Sequence, residues 1–234
     1  MRGFVTPEVF GRNIRVSSAN AASAIPVCEY TLAVVLFSLK HKWRLSGPRQ
    51  GPDGEAILPP GAYGSTVGII GLGTIGRLVA PALGRHDLRL IAYDPYCAQA
   101  DAAELGVQLV DLAQVFKESD VVSLHAPPYN ATRGLVSGDL LEQMRTGATF
   151  VNTARGELVQ HEELAQVLAK RPNLRAVLDV TDAEPLPPGH ELLQLDKVVI
   201  TRTSPDPSGA ECRRLGACVV EELERYVNGQ PLQH

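Results

Sequence analysis

A glycine-rich turn, Gly71-Leu72-Gly73-Thr74-Ile75-Gly76, is the segment whose composition points most directly to chemistry. It follows a short apolar run and precedes a helical pattern, which is the context in which G-x-G-x-x-G binds a diphosphate. Gly71 permits the tight turn, Gly73 leaves room for the phosphates, and Gly76 lets the helix approach the strand. Free N–H groups at the helix N-terminus would then face the negative charge. The turn predicts a dinucleotide site.

An acidic residue stands about 20 residues further on, at the end of the next apolar run. Asp94 follows Tyr93 and precedes Pro95. A carboxylate at this spacing hydrogen-bonds the ribose hydroxyls of the cofactor and would repel a 2′-phosphate, so it favours NAD over NADP. The alternative interpretation makes Asp94 a turn former before proline and the glycines turn residues only. Motif, context and spacing together favour NAD.

Short apolar runs alternate with helical patterns through most of the chain. Most of these runs are continuously apolar, which is typical of strands covered on both faces. The predicted strands are Thr66–Ile70, Leu88–Tyr93, Asp120–Leu124, Ala148–Val151, Ala176–Val180 and Val198–Thr201. The predicted helices between them are Ile75–Arg85, Asp111–Glu118, Gly138–Met144 and Glu162–Lys170. This order predicts an α/β protein with a Rossmann-type doubly wound parallel sheet.

Two further helical patterns flank the predicted sheet at its N- and C-terminal sides. Glu29–Trp43 is long and apolar, and Glu211–Asn228 is amphipathic and ends before Gly229 and Pro231. Pro81 falls inside the helix that follows the glycine turn, where a proline costs about 3 kcal/mol. We expect that helix to kink or to end early.

Composition narrows the function classes. The net charge of −4 includes no basic stripe, so we expect neither a nucleic-acid partner nor a membrane partner. The four cysteines show no C-x-x-C spacing and are expected to be reduced thiols, and no metal site is predicted. The N-terminus lacks the apolar core of a signal peptide, and the longest apolar run, Leu32–Leu39, is too short to cross a bilayer. These features predict a cytoplasmic protein.

Several motifs follow the glycine turn in a distinctive order. They are Ser123-Leu124-His125-Ala126-Pro127, Val151-Asn152-Thr153-Ala154-Arg155-Gly156, Asp179-Val180 and Glu184-Pro185. Together with the glycine turn and Asp94, they resemble the D-isomer-specific 2-hydroxyacid dehydrogenases, a family that includes phosphoglycerate, glycerate and formate dehydrogenases. The resemblance runs from roughly Arg15 to Leu232, nearly the whole chain.

The resemblance implies hydride transfer between NAD(H) and a small 2-hydroxy or 2-keto acid. Arg155 matches the arginine that binds the substrate carboxylate and polarises the keto oxygen, a role suited to its planar fork. Glu184 matches the glutamate that tunes a catalytic histidine, and Asp179 matches the aspartate beside the nicotinamide. Read without the family, Arg155 is a cap for strand-end carbonyls and Glu184 is a solvated loop acid. The positions that match cofactor-lining residues are Thr74, Ile75, Ala126, Pro127, Thr153 and Ala154.

The catalytic histidine of the family has no counterpart at the matching position. After the last predicted strand the chain reads Ile200-Thr201-Arg202-Thr203-Ser204-Pro205, which places Thr203 where the family has histidine. Threonine does not titrate near neutral pH, and general acid–base catalysis contributes about 10²–10⁴-fold in rate. Its loss should therefore be severe but not absolute. Replacement by His125 or His190 stays open as a less favoured alternative.

The domain organisation also departs from the family pattern, because most of the N-terminal substrate-binding domain is missing. We expect residues 1–27 to be a remnant of that domain and of the crossover, residues 28–203 to form the NAD-binding domain, and residues 204–234 to form a helix that returns toward the substrate domain. The family also implies a homodimer through the Glu29–Trp43 region, which is apolar enough to need a partner.

Three functions remain open from the sequence. The chain is an NAD-dependent dehydrogenase acting on CH–OH donors, a catalytically silent NAD-binding or dimerising module, or a decayed fragment. The ordered motifs favour the first, the intact glycine turn without the family histidine favours the second, and Pro81, Thr203 and the missing domain favour the third.

Overall fold

The computed structural model describes residues 7–12, 14–41, 43, 59–201 and 209–233. Among these residues, seven parallel strands form one sheet in the order β3-β2-β1-β4-β5-β6-β7. The strands are β1 (Thr66–Ile70), β2 (Arg89–Tyr93), β3 (Gln108–Leu109), β4 (Val121–Leu124), β5 (Thr149–Asn152), β6 (Arg175–Leu178) and β7 (Val198–Ile200). Chain order reverses between β1 and β4, where a doubly wound sheet binds its ligand. The predicted Rossmann-type α/β fold is confirmed.

All six predicted strands are present, each within two residues of its expected ends. β1 lies at the centre, where Thr66 pairs with Arg89 of β2 and Val67 pairs with Val121 of β4. Burial on both faces makes these strands continuously apolar, which is why the sequence pattern located them. β3 was not predicted, because it is a two-residue edge strand without an apolar run.

Helices precede, connect and follow the strands along the chain. They are α1 (Pro7–Gly11), α2 (Asn20–Leu39), α3 (Thr74–Leu83), α4 (Gln99–Glu104), α5 (Leu112–Glu118), α6 (Gly138–Glu142), α7 (His161–Lys170) and α8 (Glu211–Val227). α1 and α4 were not predicted, since both are too short to show a helical period. The other predicted helices are present with shifted ends.

Two apolar clusters cover the two faces of the sheet. On one face Phe116 of α5 stacks on Phe150 of β5, with ring centroids 6.4 Å apart. On the other face Val35 and Leu39 of α2 pack into the cluster that contains Ile69 of β1. Alternate residues of each strand enter opposite clusters, so the sheet is buried on both sides, and its ligand can be reached only beyond the strand ends.

The first flanking helix begins earlier than predicted. α2 starts at Asn20, nine residues before Glu29, and it continues through Pro26. The preceding turn is rich in alanine, which favours helix strongly enough to carry the chain through the proline. The predicted end at Trp43 is also wrong, because α2 stops at Leu39 and His41 adopts a left-handed backbone with φ 50°.

The additional turns at the start of α2 also make its apolar segment longer than the sequence predicted. By length and composition α2 could cross a membrane, with a mean hydropathy of 1.7 over its apolar window. The predicted apolar run, Leu32–Leu39, is therefore shorter than the apolar segment that α2 contains. In the fold, 44% of that window is buried, and Val34 and Val35 contact the sheet core. A core helix has the same apolar composition, because it is covered by protein instead of lipid.

Pro81 has the predicted effect on α3. The helix ends at Leu83, two residues after the proline and short of the predicted Arg85, and a 3₁₀ turn over Gly84–His86 follows. The Gly84 N–H donates to the Ala80 carbonyl, which closes the last turn. Pro81 cannot donate a hydrogen bond to the Arg77 carbonyl, so the last turn of the helix is weakened and the helix ends early.

The described residues within 26–206 form one compact unit, and the remaining described residues form a second. In the second unit α8 buries Glu222, whose carboxylate accepts hydrogen bonds from Ser17 Oγ at 3.3 Å and from the Gln233 N–H at 3.0 Å. Arg15 lies over the ring of Tyr226, 5.7 Å from its centroid. These polar contacts join residues 14–19 to α8.

Candidate functional site: a nucleotide crevice and an adjoining acidic cleft

The glycine turn has the geometry that its sequence predicts. Gly71 has φ +96°, and a Cβ there would lie 2.8 Å from the Ala126 backbone nitrogen. At Gly76 a Cβ would collide with the Gly71 carbonyl oxygen, so only glycine lets α3 lie this close to the turn. Gly73 faces open space, with no protein atom within 4 Å of a Cβ. The open position is therefore the one that a phosphate would approach.

The N-terminus of α3 supplies the partial positive charge that would attract a phosphate. Gly73 is the N-cap residue and has no side chain to bond the first N–H groups of the helix, at Thr74 and Ile75. Such N–H groups carry a partial positive charge and bind anions. The open cradle and the uncapped helix thus fit the diphosphate of NAD.

Asp94 lies against the glycine turn. Its hydrogen bonds fit both interpretations made from the sequence, the turn former and the ribose-binding acid. Its Oδ2 accepts a hydrogen bond from the Leu72 N–H at 2.6 Å. Its Oδ1 accepts from the N–H groups of Tyr96 at 2.8 Å and Cys97 at 3.1 Å. The residue therefore does form a turn, yet Oδ2 keeps acceptor capacity on the side of the crevice, as a ribose-binding acid requires.

A cavity of about 480 Å³ opens between these groups and the end of β4. The predicted residues that line it are Gly71, Gly73, Asp94, Ala126 and Pro127. Arg77 also lines it, and its Nε donates to the Leu72 carbonyl at 2.9 Å while its guanidinium contacts Asp101. The sequence analysis missed Arg77, although its position directly after the motif placed it on the first turn of α3.

Arg155 follows β5 and lies at the surface of a second cleft. The Asn152 side chain holds the local backbone, since its Nδ2 donates to the Arg155 carbonyl and its Oδ1 accepts from the Ala154 N–H, each at 3.0 Å. One guanidinium nitrogen donates to the Ala154 carbonyl at 2.6 Å, as the carbonyl-cap interpretation predicts. A single such bond leaves the rest of the guanidinium fork for a ligand.

Gly156 ties the Arg155 loop to the loop after β6. A Cβ at Gly156 would collide with the backbone of Thr181 and Asp182, so glycine alone permits this contact. In the second loop Glu184 Oε1 accepts a hydrogen bond from the Thr181 N–H at 3.1 Å. Arg155 and Glu184 consequently line one cleft of about 380 Å³.

Asp179 is buried at the end of β6, where two hydroxyls form a chain to it. Thr201 Oγ1 donates to Asp179 Oδ1 at 2.8 Å and lies 2.6 Å from the Tyr30 hydroxyl. Because threonine has one hydroxyl proton, Tyr30 donates to Thr201 when Thr201 donates to Asp179. Burial, and then the charge of Asp179, raises the pKa of Tyr30 against the lowering effect of the Thr201 hydrogen bond. The sequence analysis missed Tyr30, which lies far from Asp179 in the chain.

The cavity of Asp179 and the cleft of Arg155 and Glu184 share part of their lining. Asp179 lines a cavity of about 300 Å³ whose wall includes Thr181 and Glu184, and these two residues also line the cleft of Arg155. Thr153 and Ala154 are both buried, and Thr153 Oγ1 lies 3.3 Å from Thr31 Oγ1. The Thr153 hydroxyl is thus directed at α2.

The predicted position of the missing histidine, Thr203, lies outside the described residues. Of the two possible replacements, His125 is buried, with Nε2 2.9 Å from Ser123 Oγ and no partner for Nδ1 among the described residues. Burial lowers the pKa of His125 to about 4. His190 Nδ1 accepts the Leu192 N–H at 3.2 Å. His125 is therefore neutral at pH 7 and poorly suited to donate a proton.

The comparisons with known proteins agree with this geometry. The profile of the family described as "D-isomer specific 2-hydroxyacid dehydrogenase, NAD binding domain" matches residues 39–202. A D-3-phosphoglycerate dehydrogenase of Archaeoglobus fulgidus is 29% identical over 95% of this chain and 43% of its own length. A hydroxypyruvate reductase of Thermotoga maritima is 34% identical over 91% of this chain and 70% of its own. The chain thus spans less than half of the first relative.

A solved structure extends the agreement to the backbone. The TT0316 protein of Thermus thermophilus superposes with a TM-score of 0.78 at 31% identity, covering 97% of this chain and 72% of that one. The matched profile, the sheet order and the glycine cradle are consistent with one another. The chain belongs to the D-isomer specific 2-hydroxyacid dehydrogenase family, and its central part is the NAD-binding domain of that family.

Proposed function

We propose that this chain acts in hydride transfer between NAD(H) and a small 2-hydroxy or 2-keto acid. The observation that carries the proposal is the common cleft of Arg155 and Glu184, two residues from different loops that Gly156 brings together. The relatives named for 3-phosphoglycerate and hydroxypyruvate suggest a substrate of that size and charge.

The residues have separable roles in this proposal. The Arg155 guanidinium binds the substrate carboxylate in a bidentate manner and polarises the adjacent keto oxygen. Asp179, aligned by Thr201 and Tyr30, orients the group at the nicotinamide end. Glu184 supplies a negative charge at the same cleft. Bound NAD would supply the carbon that gives or accepts the hydride.

Proton transfer is the step of the proposed reaction for which this chain lacks the residue that the family uses. Thr203 occupies the family histidine position and cannot exchange a proton near pH 7. We therefore expect slow turnover with glyoxylate or hydroxypyruvate, and a gain of about 10²-fold or more in Thr203→His. The matched control is Thr203→Gln, which adds a similar volume without a titrating group. Equal rates in the three proteins would contradict the proposed role of this position.

A second candidate function is a catalytically silent NAD-binding module, which the neutral His125 and the threonine at 203 favour. Fluorescence titration with NADH separates the alternatives. Binding without turnover, even in Thr203→His, supports the silent module. Absence of binding supports a decayed fragment and removes both other functions.

We also propose that the chain forms a homodimer through the α2 region, as the family implies. Phe37 is 40% exposed and lies edge-to-face against Trp43, with ring centroids 4.7 Å apart. Much of the apolar surface of α2 is already covered by the sheet core, so the available contact is smaller than the sequence suggested. Phe37→Glu should lower the mass in sedimentation if this surface pairs. A cytoplasmic location, with no nucleic-acid or membrane partner, remains a prediction of composition.

A further inference from the structure

Arg77, on the first turn of α3, holds both carbonyl groups that flank the open position at Gly73. Its Nε donates a hydrogen bond to the Leu72 carbonyl at 2.9 Å, and its backbone N–H donates to the Gly73 carbonyl at 2.9 Å. The backbone bond is the ordinary first bond of an α-helix, whereas the side-chain bond reaches back over five positions of the chain. One residue therefore fixes the peptide groups on both sides of Gly73.

The directions of these two carbonyls determine where the opposing N–H groups point. The peptide bonds of the glycine turn are trans, and in a trans peptide the C=O and the N–H point in opposite directions. The N–H of Gly73 therefore points away from the Leu72 carbonyl, and the N–H of Thr74 points away from the Gly73 carbonyl. Neither N–H has a hydrogen-bond partner among the residues that the structure describes. Both are available to an anion.

The Arg77 guanidinium also joins the glycine turn to the segment after β2. Its terminal nitrogen lies 3.3 Å from Asp101 Oδ2 and 3.8 Å from Cys97 Sγ. In the same segment, Asp94 Oδ2 accepts the Leu72 N–H at 2.6 Å. The Leu72 backbone is thus held on both sides, its N–H by Asp94 and its C=O by Arg77. Arginine presents the two donors that these contacts use in one rigid plane, whereas lysine carries all its donors on one terminal nitrogen.

The geometry points to Arg77 as a positioning residue, which directs the N–H groups of Gly73 and Thr74 toward the diphosphate of NAD. This role presupposes the cofactor site of the proposed function. Arg77 also lines the nucleotide cavity, and its side chain is 44% exposed, so the competing role is a direct ion pair with a phosphate. The ion pair requires only the positive charge, whereas the positioning role requires the N–H group at the Leu72 carbonyl.

Three substitutions of Arg77 separate the hydrogen bond from the charge. Glutamine places an amide N–H where arginine has Nε but carries no charge, lysine carries the charge with a methylene at that place, and methionine has neither. Affinity for ADP-ribose, which has the diphosphate but no nicotinamide, should fall about tenfold in Arg77→Lys and Arg77→Met. In Arg77→Gln it should stay within about threefold of the starting protein. Affinity that is kept in Arg77→Lys and lost in Arg77→Gln, or is equal in all variants, would overturn the positioning role.

Amide hydrogen exchange in the free protein tests the same role without a ligand. Exchange at Leu72 should accelerate about tenfold in Arg77→Met and Arg77→Lys but not in Arg77→Gln, because the turn loosens only where the N–H donor is lost. Exchange at Gly71, which bonds the Tyr93 carbonyl, should stay unchanged. Arg85→Met is the matched control, since it removes the same charge from an exposed residue.

The two measurements distinguish the role of Arg77 from the proposed function. If the starting protein does not bind ADP-ribose, the cofactor site of the proposed function fails, and the exchange rates alone decide whether Arg77 holds the turn. If the exchange rate at Leu72 is the same in the three variants of Arg77, the positioning role is overturned, whatever the affinity for ADP-ribose.

Discussion

The nucleotide cavity (the cofactor end) and the cleft of Arg155 and Glu184 (the proposed substrate end) are formed by different kinds of group. At the cofactor end, backbone groups would contact the diphosphate. The glycines at 71 and 76 occupy positions where a Cβ would meet main-chain atoms. At the proposed substrate end, the groups are exposed side chains, and Arg155 and Glu184 each have a single described hydrogen bond to a neighbouring backbone group. The glycine turn and Asp94 of the cofactor end lie within one βαβ unit, whereas the proposed substrate end is built from two loops that meet at Gly156.

The two ends therefore differ in how much of each the fold alone specifies. A backbone cradle is specified as soon as its glycines and its sheet are in place. A side-chain site needs neighbours that hold each rotamer, and among the described residues the Arg155 guanidinium has one hydrogen bond, to the Ala154 carbonyl. NAD binding is consequently expected from the fold alone, whereas the proposed turnover depends on the loops.

The largest expected effect concerns His125, which lies beneath the turn at the cofactor end. Its pKa of about 4 in the folded protein is below the ordinary value of 6.5, so the unfolded chain takes up a proton first as the pH falls. The free energy of unfolding should therefore decrease between about pH 6.5 and pH 4, by about 3 kcal/mol in total. Urea titrations across this range, compared with His125→Gln, measure the loss. An identical pH profile in the variant would contradict a buried neutral histidine.

Gly156→Ala tests whether the substrate end has a single rigid attachment. The added Cβ has no room beside the backbone of Thr181, so the free energy of unfolding should fall by about 2–3 kcal/mol. Gly84→Ala is the control, because that position is open and has φ −58°. Equal urea midpoints for the two variants would show that the loops are not joined here.

Gly73→Ala should affect the cofactor and spare the fold. A Cβ at this position meets no protein atom, yet it projects where the phosphates must approach. NADH affinity should fall about 30-fold, or about 2 kcal/mol, through weakened phosphate hydrogen bonds. Fluorescence titration measures the affinity, with Gly84→Ala again as control. Unchanged affinity with unchanged stability would remove the backbone cradle from the cofactor site.

The smallest effect is expected at the hydroxyl chain that aligns Asp179. Tyr30→Phe removes one hydrogen bond to Thr201 and should lower the free energy of unfolding by about 1 kcal/mol. Tyr63→Phe, at a position 87% exposed, should change nothing measurable. If the dehydrogenase activity of a Thr203→His background falls in Tyr30→Phe at constant KM, the chain acts on Asp179 and not on overall stability alone.

The sequence by itself determined the fold and the cofactor end. Both depend on short-range patterns: apolar runs of strand length, and glycines and an acid at a spacing set by one strand-turn-helix unit. β3 and α4 were not predicted because both are short and show little apolar periodicity. The start of α2 was misplaced because Pro26 resembles a helix boundary, although the alanine-rich turn before it is helical.

Only the tertiary structure decided which distant residues meet. The Arg155 loop touches the Glu184 loop through Gly156, and Tyr30 reaches Asp179 through Thr201 across 149 residues of chain, the difference between positions 30 and 179. No local pattern encodes such contacts, because they follow from the order of strands in the sheet and from how closely α2 packs on it. The physical reason is that local propensity selects the elements, whereas burial of their apolar faces selects which loops become neighbours.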